Sequence, residues 1–455
     1  MTRRLDLLLL ATGIAAFAAA CLLVHPIGVT IVDEVSYYTE AFAIRHGLPL
    51  GRADSYLLSH GAVPFIGPLY PAGWPAILAP FTSLRWPWIF AVTPALHILG
   101  TGALAMVLKK RGLSPAWALL YLAQPTLLAF SRTLMAEPLA AFQTALLLLA
   151  AEIANPFLLG LVAGFAPLVK LSQILIAAPV VAVWLWRRPS SSRAEATLKA
   201  ALGATLGVGG FLWFSRNAYG HWLGAGYGPT YASPMQALEW LGLGIAQLSL
   251  AWPLLTLGLL RSRAEEAAGV AAPLLYLAFY GYHYQGPSLI ATLVVGARLH
   301  SSAIVLLLPG YAALISQLGK RFRNWSLVAL VAAAIGAPFL IFRAVSDRRL
   351  QLEAMRNQML ESLRPDCVVG YSKSSLKLLL PLPPTNGLLG PEDVDGLDSD
   401  LRRGACVDLV DLLSEPSTDQ HAPSYPDAFE GLIQAWPHRD LSPSNEIRVL
   451  WLNPR

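Results

Sequence analysis

Long apolar runs separated by short basic or polar connectors set the pattern of this chain. The first, Leu7 to Val32, contains no formally charged residue, only His25, and is long enough to cross a hydrocarbon layer of ~30 Å at ~1.5 Å per residue. Comparable runs follow near residues 86–108, 115–131, 138–153, 157–169, 172–186, 200–215, 241–260, 270–284, 301–318 and 326–343. They predict about eleven membrane-spanning helices, although 138–153 and 157–169 fall short of the usual ~20 residues. Basic clusters at Arg3/Arg4, Lys109/Lys110/Arg111, Arg187/Arg188/Arg193/Lys199, Arg261/Arg263 and Lys320/Arg321/Arg323 lie between apolar runs. The positive-inside rule places them in the cytoplasm, so the N-terminus and Ser190 to Ser192 are expected inside. Asp54, Asp395 and the tail are expected outside.

After the first run, Val35, Tyr38, Phe42 and Leu48 recur at helical spacing among polar residues, which predicts a short helix along the membrane interface. The outward loop that contains it, about residues 31–74, is long and dense in Gly, Pro, Tyr and His. Loops of that length are usually functional. With Tyr56, Phe65, Tyr70 and Trp74 available to pack, an ordered cap over the membrane is expected. Trp86, Trp88, Trp184 and Trp186 suit interfacial anchors. From Ser346 a polar helical run is followed by a strand-like segment and Pro/Gly-rich sequence. The expected architecture is therefore an all-α polytopic membrane domain, residues 1–343, with a small α/β extracytoplasmic domain over 344–455.

Composition agrees. The chain is 55% hydrophobic and 13% charged with a mean hydropathy of +0.51, too apolar for an ordinary soluble protein. The net charge of +5 divides unevenly, because residues 1–343 hold 22 Lys and Arg against 11 Asp and Glu, whereas 344–455 hold 11 against 17. The basic start and the small residues before Cys21 resemble a cleaved or lipoprotein signal, but the apolar run continues to Val32, so an uncleaved first helix is simpler. Cys367 and Cys406 in an extracytoplasmic tail are able to form a disulfide.

Charge is expensive beside such runs, so the isolated ionisable residues are the candidate chemistry. On this topology Asp33, Glu34, His60, Tyr70, Arg132, Glu137, Lys170, Asn217, Arg298 and His300 all fall in or next to outward loops. Asp33 or Glu34 is either a site carboxylate or a cap for the helix that follows. Arg132 and Glu137 either pair with each other or belong to a site. Lys170 either snorkels or meets a phosphate as a compact point charge, and Arg298 with His300 offers the same alternatives. No Gly-rich phosphate loop, HExxH or CxxC pair occurs, so nucleotide hydrolysis and zinc catalysis have no support, and no nucleic-acid partner is expected. Acidic side chains leave a divalent metal possible.

Several segments, in order, resemble the GT-C superfamily of membrane glycosyltransferases, in particular the bacterial branch related to protein O-mannosyltransferases and lipid A aminoarabinose transferases. They are VDEVSYYTEAFAIRHG after the first run, PLYPAGWPAILAPF, SRTLMAEPLAAFQTALLLLA, GFAPLVKLSQILI, FSRNAYGHWLGAGYG and GARLHSSAIVLLLPGYAAL, covering about residues 7–320. The resemblance implies hexosyl or pentosyl transfer from a polyprenyl-phosphate sugar to a lipid, protein or polysaccharide hydroxyl, at the outer face of a bacterial inner membrane. It implies an essential acid in the first loop, Asp33 with Glu34 as its alternative, a second acid at Glu137, and a phosphate cation at Lys170. The family's aromatic after the late Arg is absent in ARLHSS. Tyr37, His60, Tyr70, Asn217 and His300 are the expected substrate contacts.

The implied chemistry fits the residues. A carboxylate near the acceptor takes the hydroxyl proton, and Lys170, Arg132 and Arg298 stabilise the departing phosphate. Inversion is expected on the resemblance. The competing reading is a transporter or flippase of lipid-linked sugars; crowding of polar residues at the outer ends, and no evident pair of broken helices in matching halves, count against it. An inactive scaffold displaying the tail would leave the charged outer loops unexplained.

Overall fold

The computed structural model describes residues 3–26, 28–47, 70–85, 88–219, 222, 233–250, 252–280, 289–371, 375, 378, 387–389, 394–412, 425–445 and 447–452. The chain divides into two compact units. One comprises residues 1–25, 90–216 and 222–345; the other comprises 26–89, 217–221 and 346–455.

In chain order the helices of the first half are α1 (Arg3–Leu23), α2 (Val32–His46), α3 (Gly73–Leu78), α4 (Val92–Lys110), α5 (Leu119–Ala123), α6 (Pro125–Phe130), α7 (Glu137–Glu152), α8 (Pro156–Gly164) and α9 (Ala166–Val169). Those after them are α10 (Ile174–Trp186), α11 (Ser190–Tyr219), α12 (Pro234–Leu250), α13 (Ala264–Tyr280), α14 (Leu289–Val294), α15 (Ser301–Gln317) and α16 (Lys320–Ser362), and α17 (Val394–Arg402) and α18 (Tyr425–Ala435) belong to the tail. Among the described residues, five helical stretches are long and apolar enough to cross a membrane: Arg4–Leu23, Trp88–Lys110, Ser190–Asn217, Thr292–Gln317 and Arg321–Ser362. Pro156–Val169 and Leu171–Trp186 are apolar but shorter.

In the first unit the core is helix on helix. Helix α4 packs on α7, α10 on α13, and α15 on α7, α13 and the 3₁₀ turn Leu255–Arg261. The crossing of α8 and α11 depends on glycine. A Cβ added to Gly160 would stand 1.9 Å from the Ala200 carbonyl oxygen, and one on Gly203 would stand 2.2 Å from that of Phe157. The two Gly-x₃-Gly pairs, 160/164 and 203/207, thus let the backbones touch as in other membrane helix pairs.

Where sequence periodicity predicted continuous spans, the structure breaks several of them, and each break has a local cause. The run 115–131 becomes a 3₁₀ turn, α5 and α6, with Gln124 extended at ψ 121°, because the proline that follows disfavours α conformation in the residue before it. Gln124 then accepts from the Leu127 amide at 2.7 Å and starts α6 anew. The run 157–169 divides into α8 and α9 around Phe165, and the interruption expected between it and 172–186 falls on Lys170, extended at φ −160°, ψ 132°. The run 241–260 bends by 91° between α12 and Leu255–Arg261, through the left-handed Leu254 at φ 58°. Individual helices are therefore broken, which is a different feature from the matched pair in two halves that inverted repeats would give.

The second unit contains α2 and α3, which pack together, and the tail. Helix α16 runs unbroken from an apolar half into the polar run that the sequence separated from it. Beyond it lie β1 (Val368–Tyr371), β2 (Gly387–Leu389), β3 (Val407–Leu412), β4 (His438–Asp440) and β5 (Ile447–Leu452). They form one sheet in the order β2-β1-β3-β5-β4, with β1 parallel to β2 and β3, and β5 antiparallel to β3 and β4. Val368, Leu397, Leu401, Val407, Leu409, Phe429, Leu432, Leu450 and Leu452 fill its core. Cys367 and Cys406 are bonded, joining the starts of two neighbouring strands; Cys21 is free and buried.

Candidate active site

In the first unit, helix ends bring polar side chains into apolar surroundings. Glu137 is the first residue of α7, where the positive end of the helix dipole favours a carboxylate. The break at Lys170 aims that side chain at it, and the ammonium donates to Glu137 Oε1 at 3.1 Å. The carboxylate is buried, with 4% of its side chain exposed against 27% for Lys170. Arg298, in the 3₁₀ turn Gly296–His300 that leads into α15, is near enough for its charge to act on Glu137. His300 is buried and feels the Lys170 charge. It packs closely against Gly244 of α12, where an added Cβ would lie 3.2 Å from its Nε2.

Uncharged hydrogen bonds fix the elements that carry this group. Gln173, just after the break, donates to the Ala140 carbonyl at 2.9 Å, and Gln143 donates to that of Val162 at 2.9 Å. Thr126 and Gln247 donate to the carbonyls of Val294 and Thr292 at 2.9 and 3.0 Å, which anchors α14 just before the turn holding Arg298. Each is a directional polar contact, at least partly buried, in an apolar bundle. Lys170, Glu137, Arg298 and His300 are thus brought together. Two oxygens or nitrogens of the group, Glu137 Oε2 and His300 Nδ1, are buried without a hydrogen-bond partner among the described residues.

Arg132 is placed differently. Its guanidinium donates to the carbonyls of Cys21 and Val24 at 3.0 and 2.7 Å and lies over the Phe342 ring. That is a cap on the negative end of α1, so its hydrogen-bond partners here are backbone carbonyls rather than Glu137.

In the second unit, Glu34 and Asp33 separate. Glu34 is buried, and its Oε1 accepts from the amides of Thr30 and Ile31 at 2.9 and 3.1 Å and from the Thr30 hydroxyl at 3.1 Å. It is the reciprocal half of an N-terminal capping box. Asp33 is half-buried. Tyr37 is buried and stacks on Tyr70 with ring centroids 4.5 Å apart. Asn217 is exposed near the end of α11; His60 lies outside the described residues.

Glu40 is a residue the sequence reading missed. It is 1% exposed, neither carboxylate oxygen has a partner among the described residues, and burial pushes its pKa well above the usual carboxylate range. Its signal was its spacing, seven residues after Asp33 and so on the same helix face.

A second ionic group occupies the first unit at the other end of α7. Arg111 bonds Glu152 at 2.7 Å and also Glu266, Arg263 bonds Glu152 at 2.9 Å, and Arg187 bonds Glu265 at 2.9 Å. Three basic connectors that hydropathy assigned to one side of the membrane therefore meet. Among the described residues no group of three or more His, Cys, Asp or Glu is arranged to hold a metal ion.

No known family profile matches the sequence, and no curated protein does. Solved structures do. ArnT from Cupriavidus metallidurans in the apo state aligns with a TM-score of 0.62 at 14% identity, over 96% of this chain and 97% of that one. The same protein bound to undecaprenyl phosphate aligns at 0.60 and 13% identity, over 99% and 98%. This chain has the ArnT fold. Fold and apolar helices together make it an integral membrane protein, with the helical bundle and the small tail sheet both inside the alignment.

Proposed function

We propose that the chain is a membrane glycosyltransferase that moves a sugar from a polyprenyl-phosphate-linked donor to an acceptor hydroxyl at the outer face of the membrane. One observation carries this reading: nearly the whole chain shares the fold of ArnT, which has been solved with undecaprenyl phosphate bound. The grouping of Lys170 and Arg298 at helix ends supports it, because two cations in a low-dielectric setting suit a lipid phosphate.

In the proposed reaction the acceptor oxygen bonds to the anomeric carbon as the bond from that carbon to the phosphate oxygen breaks, with inversion. The hydroxyl proton passes to Asp33. The electron pair leaves with the lipid phosphate, whose growing charge Lys170 and Arg298 stabilise. Phosphate is a good leaving group, so no general acid is required. Glu34 is committed to its cap, which favours Asp33 over its neighbour. Arg132, bonded to α1, has a smaller part in phosphate binding than Lys170. The acceptor is a lipid, protein or polysaccharide, and Tyr37, Tyr70, His300 and Asn217 are proposed contacts.

Transport of a lipid-linked sugar is the second reading, because ionisable groups set among apolar helices also mark transport paths. One experiment separates the two. Purified protein in bilayers is given a set of polyprenyl-phosphate sugars with mixed acceptors, and products are read by mass spectrometry. Transfer yields a glycosylated acceptor and free polyprenyl phosphate; unchanged donor that has merely crossed the bilayer would sink the transferase.

A further inference from the structure

Glu137 stands against Lys170 where the proposed function puts a phosphate. Its Oε1 takes the Lys170 ammonium at 3.1 Å, while Oε2 is buried with no partner among the described residues. A carboxylate held by one oxygen only is incompletely compensated for its burial, so this contact is exchangeable. The Lys170 side chain is 27% exposed and that of Glu137 4%; the ammonium is therefore the reachable member of the pair. Two anions sharing one ammonium at such range repel strongly in a low dielectric. A lipid phosphate and Glu137 thus compete for Lys170.

We propose that Glu137 is an internal counter-ion that yields Lys170 to the donor phosphate and reclaims it to release the lipid phosphate product. This rests on Lys170 being the phosphate ligand. The charge count of the reaction gives the competition a purpose. The donor is a phosphate diester with one negative charge. When the sugar leaves, the electron pair of the broken bond stays on the phosphate, the acceptor proton goes to the base, and the product monoester carries up to two charges. Two cations hold that product more tightly than the donor. A resident carboxylate that returns to Lys170 offsets the gain, and it is displaced rather than lost because its own burial leaves it no path to water.

The test measures undecaprenyl phosphate binding to the purified full-length protein, alongside donor kinetics. Glu137→Gln removes the competitor's charge while keeping its shape, so lipid phosphate is expected to bind about ten-fold more tightly, within the range of ordinary coupling between two bound groups. Both kcat and KM for the donor are expected to fall together, leaving kcat/KM near the parent, as slow product release requires. Weaker or unchanged binding in Glu137→Gln overturns the proposal and makes Glu137 a prop for Lys170. Lys170→Ala is the arm that tests the underlying reading: if it leaves phosphate affinity unchanged, the phosphate site and the competition fail together, whereas weaker binding in both variants removes only the competition. Should Glu137→Gln not fold, Glu137→Asp withdraws the charge by one methylene, and a tightening of about three-fold is expected; its absence also overturns the proposal.

Discussion

Helix α7 begins and ends in charge, and its two ends differ in how completely that charge is satisfied. At the Glu152 end three arginines meet three glutamates. Glu152 Oε1 accepts from Arg111 and Arg263, its Oε2 from Arg263 at 3.2 Å, and Glu266 uses Oε1 on Arg111 and Oε2 on the Arg263 amide at 2.9 Å. At the Glu137 end two cations face one carboxylate, and Glu137 Oε2 and His300 Nδ1 lack partners among the described residues. The separation is about 22 Å at ~1.5 Å per residue. The carboxylates at both ends are buried in the same bundle. The saturated one is a clasp; the unsaturated one retains interactions to give a ligand. At the start of α2 two adjacent carboxylates also differ, in burial: Glu34 is buried with its Oε1 engaged in the cap, and Asp33 is half-buried.

The contrast is broken most severely at Asp33. As general base it needs a carboxylate, so Asp33→Asn is expected to lower turnover on the order of 10²- to 10⁴-fold, while donor affinity and melting temperature stay near the parent. Asn caps a helix about as well as Asp, so a cap at Asp33 would leave turnover nearly intact. Steady-state kinetics on the purified variant decides between them.

The clasp should fail through stability. Arg111→Ala strips partners from Glu152 and from Glu266, which is 0% exposed, and removing one side of a buried ionic group costs about 3–5 kcal/mol. Denaturant unfolding in detergent measures it. A loss below about 1 kcal/mol would class the network with ordinary surface pairs and erase the difference between the two ends of α7.

How much of this was legible in the sequence follows from range. The apolar runs and the grouping of Arg111, Arg187 and Arg263 on one side came from local pattern, and the ordered segments pointed to the fold that the ArnT comparison bears out. What pattern could not supply were partners distant along the chain. Glu152, Glu265 and Glu266 carry no local mark of meeting those arginines, and Arg132 finds two backbone carbonyls, which no side-chain inventory reveals. The breaks were partly legible: Pro125 announces the one at Gln124 and the charge of Lys170 marks the interruption there, but Leu254 adopts a left-handed backbone with no glycine to signal it. Helix α16 was divided because its hydropathy changes midway, although a helix can pass from apolar to polar surroundings without ending.

In the tail, Asp408 provides an unsaturated carboxylate outside the membrane. Its Oδ2 accepts from the Arg364 amide at 2.8 Å, its Oδ1 has no partner among the described residues, and it faces Trp451 across the sheet. Burial pushes its pKa up to about 6. The native state thus binds a proton that the unfolded chain, with an ordinary value near ~3.9, releases earlier. Below about pH 4 both states are protonated and no penalty arises; between about 4 and 6 stability declines as pH rises; above 6 the loss is complete at about 2–3 kcal/mol. Asp408→Asn is expected to flatten that decline and to be the more stable protein at pH 7.5, with little difference at pH 4. Parallel pH dependences in parent and variant would assign the slope elsewhere.

The smallest effect is expected at Glu34, and it tests whether saturation is the right criterion. Its carboxylate works as an acceptor for two amides and a hydroxyl, a duty that a side-chain amide oxygen performs as well, since capping boxes use Glu and Gln alike. Glu34→Gln should therefore leave both turnover and stability close to the parent, whereas Glu34→Ala removes the acceptor and should cost about 1 kcal/mol, lowering the melting temperature with turnover per folded molecule retained. A buried carboxylate whose charge is dispensable but whose oxygen is not is what a saturated site predicts. If Glu34→Gln instead abolishes transfer while Asp33→Asn remains active, the charge of Glu34 is the one in use, the base has been assigned to the wrong neighbour, and full hydrogen bonding does not exclude a carboxylate from chemistry.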